Sequence, residues 1–175
     1  MNNVDLRLIE TLDGGDYVLK GNDLQLISGF QNMPYIGLFG GNKQPTTGPK
    51  TTEQTFDFWG NYLFYPTDSS KWINSITEHL LEATELNSAS RIKIEQSVMK
   101  DLQFMLEFAE IKVSVVLFDV DKLKITIEIH EPNVLNSTVF TYIWNATEQE
   151  LMMEDSIGTQ NGNGVALDIP LNFGL

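Results

Sequence analysis

The chain has 175 residues, enough for one domain with a sizeable core, and its 42% hydrophobic and 10% aromatic content is that of a globular protein. Cysteine is absent, which excludes disulfides, thiolate metal sites and a cysteine nucleophile and leaves the redox compartment open. Twenty-four acidic against eleven basic residues give a net charge of −13, which disfavours nucleic acid and anionic membranes and favours a protein or a cationic ligand as partner.

The opening MNNVDLRLIE shows no basic stretch followed by an apolar run, so no secretory signal is expected. No apolar run reaches the ~18 residues that cross a bilayer, and a soluble chain, intracellular when made, is expected. Residues 4–12 and 16–20 read as short strands, with Leu6, Leu8 and Leu12 alternating against Asp5, Arg7 and Glu10. Asp13-Gly14-Gly15-Asp16 has hairpin-turn chemistry, and Lys20-Gly21-Asn22-Asp23 predicts a second turn into Leu24-Gln25-Leu26-Ile27. Acidic residues and glycines this close could also cradle a metal ion. The spacing matches no calcium loop, which needs oxygens at fixed intervals and usually an acidic closing ligand, so turns of a small meander are the reading.

Residues 40–55, GGNKQPTTGPKTTEQT, lack periodicity and predict a long loop or arm. The aromatic run from Phe56 to Pro66 is either a core plug or an interface anchor, core being the commoner outcome. Asp68-Ser69-Ser70 offers N-cap residues for a helix over 70–86, with Trp72, Ile76, Leu80 and Ala83 on one face and Ile73 and Leu86 beside it. Asn87-Ser88-Ala89-Ser90 breaks that helix and caps a second over 90–109, striped by Ile94, Val98, Leu102, Met105 and Ala109.

Ile111, Val113, Val115 and Leu117, then Leu123, Ile125, Ile127 and Ile129, alternate with polar residues around Asp119-Val120-Asp121-Lys122. This predicts a β-hairpin with one buried and one wet face, in which Asp119 and Asp121 are turn residues and not a metal pair. Ser137 to Trp144 predicts a further strand. The Gly/Asn-rich tail from Gly158, with its apolar patch Val165 to Leu171, is of a kind that docks on another surface instead of folding alone.

The expected fold is therefore α+β in a single domain: a small N-terminal β-meander, two helices packed on an antiparallel hairpin or sheet, and an extended C-terminal segment. Its parts are strands and turns at 1–39, the loop or arm at 40–55, helices plus hairpin at 56–131, and an extra strand with the tail at 132–175.

A search for chemistry nominates no catalytic, cofactor or metal residue. His79 and His130 are not paired at ligand spacing, and no nucleophile elbow, zincin, P-loop or dinucleotide motif occurs. Glu78, Glu82 and Glu85 form a row on one helix, whereas a glycosidase needs two carboxylates facing each other across a cleft. The candidate contact residues are Phe56, Phe58, Trp59 and Tyr62 in the aromatic run and Val165, Leu167 and Ile169 in the tail, available to a partner protein.

The order of these features resembles a known family. "DLRLIETLDGGDYVLKGNDLQLISGFQNM" is similar to the start of the phage Mu-type small baseplate wedge proteins of contractile tails: an acidic strand, an Asp-Gly turn, a Gly-Asn step into an apolar piece, then a glycine before a short helix. Asp13, Gly14, Asp16, Gly21, Asp23 and Gly29 match that pattern, and FDFWGN (56–61) resembles the family's aromatic segment ahead of two helices and the hairpin. The resemblance covers residues 4–131. Related lysozyme-like wedge and sheath-initiator proteins carry Glu-Pro-Arg between helix and strand, where this chain has Glu107-Phe108-Ala109-Glu110, and the segment after 131 exceeds the short members. The resemblance implies a structural role in a virion tail, reached from the host cytoplasm, in sixfold copies against baseplate, tube and sheath proteins. A cell-wall-degrading lysozyme-like enzyme and a calcium-dependent or carbohydrate-binding module are the alternatives.

Overall fold

The computed structural model describes residues 4–11, 14–28, 31–41, 56–58, 60–68 and 71–154. The fold is α+β with antiparallel sheets and an N-terminal β-meander. That meander closes on itself. β1 (Val4–Leu6) and β2 (Leu8–Thr11), β3 (Gly14–Tyr17) and β4 (Leu19–Lys20), and β5 (Asp23–Leu24) and β6 (Leu26–Ser28) are three extended pieces, each broken at one residue. β1 pairs with β6, β2 with β3 and β4 with β5, so each piece gives half its length to each of the other two.

The three breaks, Arg7, Val18 and Gln25, meet in a ring of backbone hydrogen bonds. Arg7 N donates to Gln25 O (2.9 Å), Gln25 N to Val18 O (2.8 Å) and Val18 N to Arg7 O (3.1 Å). Of the two expected turns, the second is present, with Lys20 pairing with Asp23 across Gly21-Asn22, whereas Gly14, Gly15 and Asp16, expected as turn residues, lie in β3, where Gly14 pairs with Thr11. Gly21 has φ +69°, which a residue without Cβ adopts at no steric cost.

Pro34 starts α1 (Met33–Phe39), where its missing N–H is no loss. Gly37 faces the chain beyond the second long helix, and a Cβ there would lie 3.1 Å from the Phe104 ring. β7 (Phe56–Asp57) and α2 (Asn61–Phe64) follow, and β7 pairs with β8 (Asn74–Ser75).

The first long helix is shorter than expected. α3 runs Ile76–Ala83, and Trp72 and Ile73 precede it in non-helical chain. The reason is its cap. The carboxylate of Asp101 accepts from Ile76 N (3.1 Å) and Thr77 N (2.7 Å), so the first orphan N–H groups are satisfied from 24 and 25 residues away instead of by Asp68-Ser69-Ser70. α4 (Ser88–Asp101) starts where expected, with Asn87 and Ser90 forming a reciprocal capping box. It ends at Asp101 and not at 109. A 3-10 turn over Gln103–Glu107 carries the stripe onward, keeping Leu102, Met105 and Ala109 buried.

The central sheet has the order β12-β11-β10-β9, all antiparallel, with β9 at Glu110–Leu117, β10 at Lys122–His130, β11 at Thr138–Asn145 and β12 at Glu150–Glu154. The hairpin register sets Ile125 opposite Val115 and Ile127 opposite Val113. Leu123, Ile125, Ile127, Phe140, Tyr142 and Trp144 are buried at period two beneath Leu81, Ile94, Val98 and Leu38 of the helices. The segment after β11, for which no strand was expected, turns at 146–149 and returns as β12. Asn145 Oδ1 accepts from Thr147 N (3.1 Å) and Glu148 N (3.3 Å), and Gln149 holds φ +57°, a turn built without glycine. Residues 42–55 and 155–175, which include most of the expected arm and the tail, lie outside the described residues.

Candidate interaction surface

The described side chains at the end of the aromatic run are exposed. Tyr62 is 66% exposed, Leu63 69% and Tyr65 40%. Tyr62 stacks edge-on against Trp72 with ring centroids 4.6 Å apart, Trp72 Nε1 donates to Tyr65 O (2.9 Å), and Lys71 Nζ sits 5.9 Å from the Tyr65 ring centre. One buried amide holds this shelf. Asn61 Nδ2 donates to Ile73 O (2.8 Å) while Ile73 N donates to Asn61 Oδ1 (2.9 Å), a two-point clamp between α2 and the chain before β8. For Tyr62, Leu63 and Tyr65 the expectation of core does not hold, because α2 is a single turn on the surface.

Of the other candidate contact residues, Phe58 is half-buried and bridges to Gly41, its N donating to Ile73 O (3.1 Å). Phe56 pairs through its backbone with Ser75. The Phe56 side chain, Trp59, Val165, Leu167 and Ile169 lie outside the described residues. Trp72, Tyr65 and Lys71 join the shelf without having been singled out for contact. Trp72 was read as helix face, and only the helix's late start frees it.

A second surface is the outer face of the central sheet. Register aligns Val116, Lys124, Ile143 and Met152 in one row across all four strands. Val116 is 50% exposed, and Met152 and the nearby Phe118 and Val120 are exposed. Two long ion pairs cross this face, Lys112–Glu128 at 3.9 Å and Lys124–Glu154 at 4.0 Å, both solvated and weak.

A cleft of about 380 Å³ separates the N-terminal ring from the sheet, between Arg7, Gln25 and Asn32 on one side and Asn136, Ser137 and Met153 on the other. Its polar groups are largely engaged. Asn32 Nδ2 donates to Leu6 O (2.6 Å) and Asp5 Oδ2 (2.9 Å), its Oδ1 accepts from Leu8 N (3.1 Å), and Arg7 donates to Gln25 (3.3 Å).

Among the described residues no three His, Asp or Glu side chains converge as a metal site, and no helix is long and apolar enough to cross a membrane. His79 is buried within α3, and His130 is exposed at the end of β10, 3.5 Å from Ser137 Oγ. Asp119 Oδ1 accepts from Val120 N (2.8 Å) and Asp121 Oδ2 from Thr147 Oγ1 (2.9 Å), so both act within turns. Among the described residues Asp101 is the one buried carboxylate with a resolved shift: burial raises it to about 6 against the pull of the Thr77 and Ile76 hydrogen bonds and of Lys100. Each of its oxygens accepts a helix N–H group, an arrangement that holds a helix.

No family model matches this chain, and neither the curated proteins nor the solved structures contain a match.

Proposed function

We propose that this chain is a structural component of a phage-type contractile tail, in the wedge and sheath-initiation region of the baseplate, acting through protein–protein assembly with tube and sheath proteins in sixfold copies. The observation that carries this reading is two groups of exposed apolar side chains, Tyr62 and Tyr65 beside half-buried Trp72, and Val116 and Met152 in a row with half-buried Ile143 and Lys124. Large apolar side chains left exposed in groups are what a domain keeps for a partner. The element order supports the family assignment: meander, short helix, aromatic segment, two helices, hairpin. Glu-Pro-Arg is missing before β9, so no wedge contact attributed to that triplet is carried over to this chain, and the shelf and the sheet face are the surfaces offered for assembly.

The test is deletion of the coding gene from its parent genome, followed by electron microscopy of the particles and complementation in trans. Particles without assembled baseplate and sheath, restored by complementation, are expected. Normal contractile tails in the deletion would overturn the proposal.

A further inference from the structure

The shelf of Tyr62, Tyr65 and Trp72 meets a ligand chiefly with ring surface. Trp72 has one side-chain N–H, and the Tyr65 carbonyl accepts it at 2.9 Å, so the indole keeps no donor for an incoming carbonyl or carboxylate. Tyr62 meets Trp72 edge-on at 4.6 Å and is still two-thirds exposed, leaving ring surface open to solvent. The two phenol oxygens accept hydrogen bonds as readily as they donate them.

One cation is already placed on these rings. Lys71 Nζ lies 5.9 Å from the Tyr65 ring centre and 3.7 Å from Asp68 Oδ2, an ammonium in reach of an aromatic face and a carboxylate. The surrounding charge has the same sense. Across residues 56–86, Asp57, Asp68, Glu78, Glu82 and Glu85 stand against Lys71 alone, in a chain of net charge −13. The face of an aromatic ring is the negative side of its quadrupole, and a negative surrounding potential adds to it. A cation gains from both, whereas an acidic segment or a second copy of this chain is repelled.

We propose that the shelf receives an arginine side chain from a basic segment of a partner protein, with the guanidinium laid over the Tyr62–Trp72 pair. This deepens the assembly role proposed above by naming the chemistry of one contact, and it rests on that reading for the partner being a protein. Arginine fits this seat better than lysine. Its planar guanidinium is weakly hydrated, stacks on ring faces and carries five N–H donors, which the phenol oxygens can accept. An ammonium holds its water more tightly and has no flat face to lay on a ring. The seat is also fixed in advance. Buried Asn61 clamps Ile73 at two points, setting α2 against the Trp72 segment and lowering the ordering cost of binding.

The test is an NMR titration of the full chain with acetyl-Gly-Arg-Gly-Arg-Gly-amide, and with the same peptide carrying citrulline, lysine or leucine in place of arginine. Citrulline keeps the planar shape of arginine and loses its charge. The peptides bind the purified chain, or fail to, whatever the deletion particles look like, so this proposal and the assembly reading fail separately. The arginine peptide should move the Trp72 Nε1–H signal and the amides of Asn61 to Tyr65. It should bind about fivefold or more tighter than the citrulline and leucine peptides, with the lysine peptide between them. Tyr62→Leu, which keeps apolar area and removes the ring, should weaken the arginine peptide by about two- to fivefold and leave the Ile125 and Ile127 amides unmoved. Equal binding of the arginine peptide and any of the other three would overturn the proposal. So would shifts that spare the shelf, no shifts at all, or a Tyr62→Leu chain that binds as well as the native one.

Discussion

The N-terminal ring and the central core solve the same problem, fixing short strands, with opposite means. The core fixes β9 to β11 by burial: Leu123, Ile125, Ile127 and Tyr142 are fully buried beneath α3 and α4. The ring buries little. Tyr17, Leu19, Leu24 and Leu26 are exposed, and each of its ladders is only two strands wide. Two-stranded ladders of this length are marginal in water. What holds them is the closed Arg7–Val18–Gln25 hydrogen-bond ring and the three-way grip of Asn32 on Asp5, Leu6 and Leu8. A region held by burial should fail all at once, and a region held by hydrogen bonds should be detachable.

The largest effect should come from putting charge into the burial-held region. Ile127→Asp places an unpaired carboxylate among fully buried side chains and should cost more than about 4 kcal/mol, enough to abolish soluble expression. Lys124→Asp, on the opposite face with only a solvated 4.0 Å ion pair to lose, should cost under about 1 kcal/mol in denaturant unfolding. Equal effects would mean that the faces are assigned wrongly.

Asp101 sharpens the comparison, since it is a polar device placed inside the core. Its folded-state value of about 6 lies above the ordinary 3.8, so the native state binds the proton more tightly than the unfolded chain does. Its favourable contribution is complete below pH ~3.8 and is lost as pH rises through about 6, a swing of up to about 3 kcal/mol. Stability of the native chain relative to Asp101→Asn, which cannot titrate, should fall by about 2 kcal/mol between about pH 4 and pH 6.5 in urea unfolding. A pH-independent difference would contradict the burial of this carboxylate.

Asn32→Ala attacks the hydrogen-bond-held region. It removes two donated bonds and leaves Leu8 N without its acceptor, for about 1–3 kcal/mol. The loss should be local, with faster amide exchange over residues 4–28 and unchanged exchange in β10 and β11. The smallest effect is Gly21→Ala. There is open space at that position, so only the left-handed φ of +69° is penalised, by about 1 kcal/mol.

Legibility followed the same division. The β9–β10 hairpin and its buried face were readable because a period-two run of isoleucine and valine admits one register. The start of α4 was readable because its cap is local, Asn87 with Ser90. The start of α3 was not, because its cap is Asp101, brought there by the fold. β12 was hidden because Glu150-Leu151-Met152-Met153-Glu154 does not alternate and its turn lacks glycine. The ring's turn at Gly21-Asn22 was legible, whereas Gly14-Gly15-Asp16 read as turn and is strand, and the ring's closure depends on three single-residue breaks that no residue type marks. The contact surface was legible only in part. Tyr62 was singled out, whereas Trp72 belonged to a helix that begins later, and the Val116–Ile143–Met152 row exists only through sheet register.

The division itself is tested most directly by native-state amide exchange as a function of denaturant, comparing Arg7, Val18 and Gln25 with Ile125 and Ile127. The ring amides should open together at low free energy with little dependence on denaturant, and the β10 amides only at the free energy and slope of global unfolding. A single free energy and a single slope shared by both groups would show one cooperative unit, and would contradict the account.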